Sequence, residues 1–318
     1  MYPKSILNKP VLKRKFLRSP GFFLIALFCA LLFTGENPIT PGRAAASQSQ
    51  PPQIPVPSAD GTVVYESELV SVDASHTDEG YVMVRYMGKN PKVKLQLEIT
   101  GGQTYTYLLS KDQIYEVFPF SSGDGIYSLR VYEQIKDDSY ILIFTEELTV
   151  TLQNEFLPFL YPNQYVSFTP DSLAASISEQ LCADTRSDAE AVGILYRYVC
   201  RNISYDMEKA AQAAYGYLPD VDEILTSGKG ICFDYAAVLT AMLRSRGIPA
   251  KLETGYVGDA FHAWVSVYSE EAGRPGDAVR LREKSWNLLD PTLASHSGSA
   301  GANAYIGDGS HYTVKYSY

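Results

Sequence analysis

Three residue types that together can transfer an acyl group occur in chain order as Cys232, His262 and Asp290. The cysteine lies in Gly228-Lys229-Gly230-Ile231-Cys232-Phe233-Asp234-Tyr235-Ala236, which runs into an apolar stretch ending at Arg246, where Gly247 and Pro249 supply a C-cap and a breaker. The glycines let the backbone turn tightly, so Cys232 is expected in the first turn of a helix. Unpaired N–H groups there carry partial positive charge, which favours thiolate over thiol and can hold an oxyanion when sulfur attacks a carbonyl. A cysteine, histidine or aspartate taken singly at such a place is an ordinary structural residue. The joint placement points to chemistry, because an imidazole held by a carboxylate keeps the tautomer and orientation needed to take a proton from a thiol.

The elements that must position these residues are legible downstream. Lys251 to Val257 reads as one strand, His262 to Tyr268 as the next and Lys284 to Asp290 as a third. Antiparallel pairing of the last two across the polar loop Ser269 to Glu283 sets His262 opposite Asp290, Trp264 opposite Leu288 and Ser266 opposite Trp286. Paired residues share a face of the sheet. Packing of the cysteine helix against this sheet then brings Cys232 within reach.

Upstream, Leu173, Ile177 and Leu181 recur at helical spacing after Pro170-Asp171. Ser187 and Glu190 form a capping box before the face Val192, Leu195, Tyr196 and Val199. Cys182 and Cys200 each end one of these helices. In an antiparallel hairpin they stand about 18 Å apart along the axis at the helical rise, beyond the roughly 7 Å between α-carbons that a disulfide tolerates. Both are expected to be buried, inert thiols.

On these residues the chain resembles the transglutaminase-like superfamily. The resemblance rests on Gly230, Cys232 and Asp234, on Leu243-Arg244, Gly247-Ile248-Pro249-Ala250 and Gly255-Tyr256, and on His262-Ala263-Trp264 and Asp290-Pro291-Thr292. It covers roughly Phe168 to Thr292 and implies a papain-like Cys-His-Asp enzyme of the bacterial exported kind. Cys232 is then the nucleophile, His262 the general base and acid, and Asp290 its orienter. Trp264 and Tyr256 would line a substrate site, a role for which core packing is an equal explanation.

The first half of the chain has a different pattern. Between Gly61 and about Leu152, Val93, Leu95, Leu97 and Ile99 alternate with Lys94, Gln96 and Glu98, and further strands are expected at Tyr81 to Tyr86, Tyr127 to Tyr132, Tyr140 to Phe144 and Leu148 to Leu152. Turn residues at Gly101-Gly102 and Asp124-Gly125 separate short runs as in an immunoglobulin-like β-sandwich. The fold class is therefore α+β: a sandwich over 61–153, then a transglutaminase-like domain over 154–318 with a helix packed on an antiparallel sheet.

Residues 47–60 read as a proline-rich spacer. Over 1–46, Lys4, Lys9, Lys13, Arg14, Lys15 and Arg18 precede an apolar run from Phe22 to Phe33, the order of an export signal. Ala44 and Ala46 offer a cleavage pattern; an uncleaved membrane anchor is the alternative, and both place the remainder in the cell envelope or outside the cell. Losing 1–46 removes seven Lys and Arg and one Glu, so the net charge passes from −9 to −15. Such a surface disfavours nucleic acid.

The cysteines and histidines lack metal-ligand spacing, His76, His296 and His311 have no partner signature, and no cofactor is expected. The functional expectation is a cysteine-dependent acyl transfer on amide or peptide bonds of a protein or peptide substrate, including cell-wall peptide, with cross-linking, deamidation or hydrolysis as outcomes. The alternative is a non-catalytic envelope-binding or scaffold protein in which the sandwich makes the contact. The tyrosine-rich segment after Tyr305 has no assignable role.

Overall fold

The computed structural model describes residues 54–273 and 279–318. The leader over 1–46 and the first part of the spacer lie outside the described residues. Short alternating runs form β1 (Val64–Glu66), β2 (Val70–Asp73), β3 (Tyr81–Tyr86), β4 (Val93–Ile99), β5 (Thr104–Leu109), β6 (Glu116–Pro119), β7 (Gly125–Lys136) and β8 (Ser139–Val150). They build two antiparallel four-stranded sheets, β1-β2-β3-β6 and β5-β4-β7-β8. Val93, Leu95 and Leu97 point inward as their alternation with polar neighbours requires, and join Val72, Val84 and Phe118 of the other sheet in the core. Phe118 meets Tyr107 edge-on at 4.9 Å. The runs expected separately at Tyr140 to Phe144 and Leu148 to Leu152 are one 12-residue strand, β8. Its pairing with β7 slips near Tyr132, which explains why no single alternation spans it.

The second half begins with α1 (Leu173–Leu181) and α2 (Asp188–Asn202). Ser172, rather than Pro170 or Asp171, caps α1. Ser187 Oγ accepts from the Glu190 N–H at 3.2 Å, while the Glu190 carboxylate reaches one residue further back, to the N–H of Arg186. Then follow β9 (Ser204–Tyr205), α3 (Met207–Gln212), α4 (Val221–Ser227), β10 (Lys229–Gly230) and α5 (Cys232–Arg244). Apart from Asp234, Thr240 and Arg244 the sequence of α5 is apolar around the helix, as its burial on nearly all sides requires. It is enclosed by α1, α2, α4 and α6 (Pro291–Ile306) on one side and by a sheet on the other. That sheet is antiparallel, in the order β13-β12-β11-β14, made of β11 (Ala250–Val257), β12 (Ala260–Ser269), β13 (Ser285–Leu289) and β14 (Tyr312–Ser317).

The β12–β13 register differs from the expected one by two residues. Ser266 pairs with Leu288 and Tyr268 with Trp286. A two-residue slip preserves the parity of the faces, so residues 262, 264, 266, 288 and 290 still belong to one side.

The described residues fall within one compact unit, Ser49–Tyr318. Its two halves meet along a tyrosine-rich seam. Tyr105 of β5 packs on Tyr316 of β14 at 5.5 Å, Tyr107 on Tyr165 at 5.7 Å, and Tyr165 on Tyr318 at 4.6 Å. Below it Arg244 is wholly buried and donates to three carbonyls, those of Ala250 (2.9 Å), Tyr161 (2.6 Å) and Tyr318 (2.7 Å). Burial lowers its pKa. Among the described residues no helix is long and apolar enough to cross a membrane.

Candidate active site

Cys232 is the first residue of α5, half-buried at the helix N-terminus as its glycine-rich approach requires. The terminus is held by Asp234, which has no exposed surface. Its carboxylate accepts from the Ile231 N–H at 2.9 Å and the Tyr217 hydroxyl at 2.6 Å, and pairs with Lys209 Nζ at 2.7 Å. Gly230 makes room for this: a Cβ there would lie 2.6 Å from that of Asp234. The sequence marks Asp234 through the helix-start pattern and the resemblance, but not its partners Tyr217 and Lys209.

His262 lies near the start of β12, and its Nε2 is 2.9 Å from Asp290 Oδ2. Under the observed register the contact is diagonal rather than directly cross-strand, because Asp290 lies beyond the last paired residue of β13, at the N-cap of α6. Asp290 is 1% exposed. Its Oδ1 accepts from the Leu293 N–H at 2.8 Å, and its Oδ2 also accepts from the Tyr312 hydroxyl at 2.8 Å. One carboxylate therefore caps a helix and orients the imidazole, with its remaining capacity used by a tyrosine of β14. Tyr312 belongs to the segment to which the sequence assigned no role.

Burial disfavours the charged imidazole of His262, but hydrogen bonds to Asp290 and to Cys232, together with the charges of both, outweigh it and raise its pKa to about 10. With Nε2 facing Asp290, Nδ1 is the ring nitrogen left for the thiol. The ring lies parallel to Trp264 at 6.3 Å.

Cys232 and His262 border one cavity of about 540 Å³. Trp264 and Tyr256 do not, which corrects the expectation that they line the site. Trp264 is fully buried and donates from Nε1 to Glu253 Oε2 at 2.7 Å, directly across β11–β12. Ser266 Oγ donates to the same oxygen at 2.7 Å. Burial raises the pKa of Glu253, and these two bonds oppose the rise. Tyr256 is 41% exposed and packs edge-on against Phe261, outside the cavity lining.

Cys182 and Cys200 are free thiols set apart from this cavity. Burial raises the pKa of both, that of Cys200 to about 12 with a further contribution from the Asp290 charge. Among the described residues no group of three His, Cys, Asp or Glu side chains converges as metal ligands would.

Residues 175–291 match the family model described as the transglutaminase-like superfamily. Over 115 residues the chain is 30% identical to the kyphoscoliosis peptidase of Mus musculus, a match covering 36% of this chain and 17% of that protein. Over 85 residues it is 33% identical to an uncharacterized protein of Mycobacterium tuberculosis, covering 23% of this chain and 24% of the other. The chain thus spans less than a quarter of the length of these relatives. The crystal structure of red sea bream transglutaminase superposes with a TM-score of 0.27 at 15% identity, over 67% of this chain and 48% of that one. The segment that places Cys232, His262 and Asp290 together is the part of the chain that matches the transglutaminase-like superfamily.

Proposed function

We propose that this chain is a cysteine-dependent acyl-transfer enzyme acting on amide or peptide bonds of a protein or peptide. The observation that carries the reading is one contact set: a thiol at a helix N-terminus hydrogen-bonded to His262, with His262 in turn 2.9 Å from the buried carboxylate of Asp290. With a pKa near 10, His262 is protonated at neutral pH, and an imidazolium beside Cys232 favours the sulfur as thiolate. The thiolate adds to the carbonyl carbon, and the N–H groups of the first turn of α5 face the resulting oxyanion. Collapse breaks the C–N bond as the imidazolium gives its proton to the departing ammonia or amine. The remaining thioester is attacked by water or by a second amine, whose proton returns to His262 while the thiolate is released.

Water gives hydrolysis or deamidation, and a lysine amine gives a cross-link. Offering a glutamine-bearing protein with a fluorescent primary amine separates these outcomes. Label in the protein signifies transfer, and ammonia or new peptide termini without label signify hydrolysis. Absence of all three with the wild-type chain, across protein and cell-wall peptide substrates, would sink the proposal.

The reading includes export, supported by the order of basic and apolar residues over 1–46. Protease added outside intact producing cells should digest the chain or find it in the medium. A chain wholly protected until the cells are broken would contradict that part alone.

A further inference from the structure

The cavity that holds the reactive pair is not built by the transglutaminase-like segment alone. Strand β5 is the outermost strand of its sheet, and its burial alternates: Tyr105, Tyr107 and Leu109 face the core, while Thr104, Thr106 and Leu108 face away. Thr106 and Leu108 border the same 540 Å³ cavity as Cys232 and His262.

The inward side of β5 fixes this wall. Tyr105 and Tyr107 pack into the tyrosine seam, and Tyr165 of that seam lies 5.5 Å from the ring of Phe233, the residue after the nucleophile. Gln164 Nε2 donates both to the Leu108 carbonyl at 2.6 Å and to the Glu116 carboxylate at 2.8 Å. The segment after α3 closes over the strand at Gly216, whose φ of 86° favours glycine and where a Cβ would lie 2.4 Å from Leu108 Cδ1. Tyr217 ties the same segment to the start of α5 through Asp234.

The lining is mostly aromatic and aliphatic, and Lys315 of β14 is its single Lys or Arg. At its rim Phe261 is 61% exposed and Tyr215 78% exposed. Large apolar side chains left in water beside a cavity of this size are what a binding site for an apolar group presents.

Resting on the acyl-transfer reading above, we infer that this cavity is the acyl-donor pocket and that it takes a large aromatic or branched aliphatic side chain of a polypeptide, next to the carbonyl that Cys232 attacks. Leu108 and Thr106 of the sandwich supply one wall. The sandwich is thereby a specificity element of the enzyme.

Two peptidyl chloromethyl ketones test this on the full chain, one with phenylalanine and one with glycine at the position next to the ketone; in each, sulfur displaces chloride. Wild-type Cys232 should react at least about tenfold faster with the phenylalanine reagent, the scale of a few buried methylenes in an apolar pocket. Leu108→Asp should reduce that ratio toward one. Thr106→Arg, a change at a half-buried position, should reduce it too and decides the matter if Leu108→Asp does not fold. A wild-type ratio near one, or a ratio unchanged in the folded variants, overturns the pocket assignment. Iodoacetamide serves as the reference: if it fails to modify Cys232 ahead of Cys182 and Cys200, the catalytic reading itself fails and the pocket assignment goes with it.

Discussion

Two thiols are linked to Asp290, Cys200 directly through its charge and Cys232 through His262, and they differ in what governs reactivity. Cys200 sits in the last turn of α2, its sulfur 3.5 Å from the carbonyl oxygen of Pro291. Burial is the main reason that its pKa is raised, and the Asp290 charge adds to it; the C-terminal end of the helix dipole disfavours an anion in the same sense. Cys232 starts α5, where the dipole has the opposite sign, and its neighbour is the cationic imidazole that Asp290 holds. The same carboxylate suppresses one thiolate directly and supports the other through His262. Burial, helix polarity and one intervening ring separate an inert thiol from a candidate nucleophile.

The comparison breaks most completely at the sulfur. Cys232→Ala should abolish acyl transfer, by on the order of 10⁴-fold or more, while Cys200→Ala should change turnover by no more than about twofold, away from any reacting group; equal losses in the two would remove the distinction. His262→Ala should slow turnover by roughly 10² to 10⁴-fold, the range for a lost general acid–base. It should also bring the iodoacetamide labelling rate of Cys232 down towards those of Cys182 and Cys200. Labelling that stays fast in this variant would mean that the helix start alone activates the sulfur.

Asp290 gives a finer test, because its two oxygens do different work. Asp290→Asn keeps an oxygen for the Leu293 N–H but loses the negative charge beside His262. Asp290→Ala loses both and, by the cap alone, about 1 kcal/mol of stability. We expect both to lose activity and only the alanine variant to melt clearly lower. Equal melting temperatures would show that the cap contributes little.

The pH dependence follows from His262. Its folded value, about 10, lies above the ordinary 6.5. The stabilisation that comes from its protonation is therefore complete below about 6.5 and lost as pH rises through about 10. Turnover should fall over the same alkaline range as the imidazolium disappears, and a rate that stays flat well past pH 10 would contradict the pair. The smallest effect is expected from Tyr312→Phe. Loss of one hydrogen bond to Asp290 should cost a few-fold in turnover, about 1 kcal/mol, and move the alkaline limb; a limb that does not move would make Tyr312 a packing residue only.

Much of this site was legible in the sequence, and what was not had specific causes. Cys232 announces itself through glycines and an apolar helix with a clear stop. The parity of β12 and β13 follows from alternation, but their register does not. The connection over Ser269 to Glu283 is too long for a turn type to fix the pairing, so Asp290 was placed two residues from where it lies. Nothing in the strand expected over Lys251 to Val257 marks Glu253 as the acceptor for the buried Trp264 nitrogen. Tyr312 depends on β14 docking beside β11, a neighbour distant in sequence. The wall formed by Leu108 depends on how the sandwich seats against the sheet β13-β12-β11-β14, which no local pattern records.

Arg244 bears on how the molecule opens. Its guanidinium is shared by three carbonyls from segments far apart in the chain, around Tyr161, Ala250 and Tyr318. Releasing any one of them leaves a buried cation short of an acceptor, an unfavourable state, so the three segments should lose amide-exchange protection in one cooperative step rather than fray independently. Breathing motions that would otherwise begin at the edge strand β14 are thereby coupled to the helix that carries Cys232, and the geometry there is protected as long as that unit stays closed.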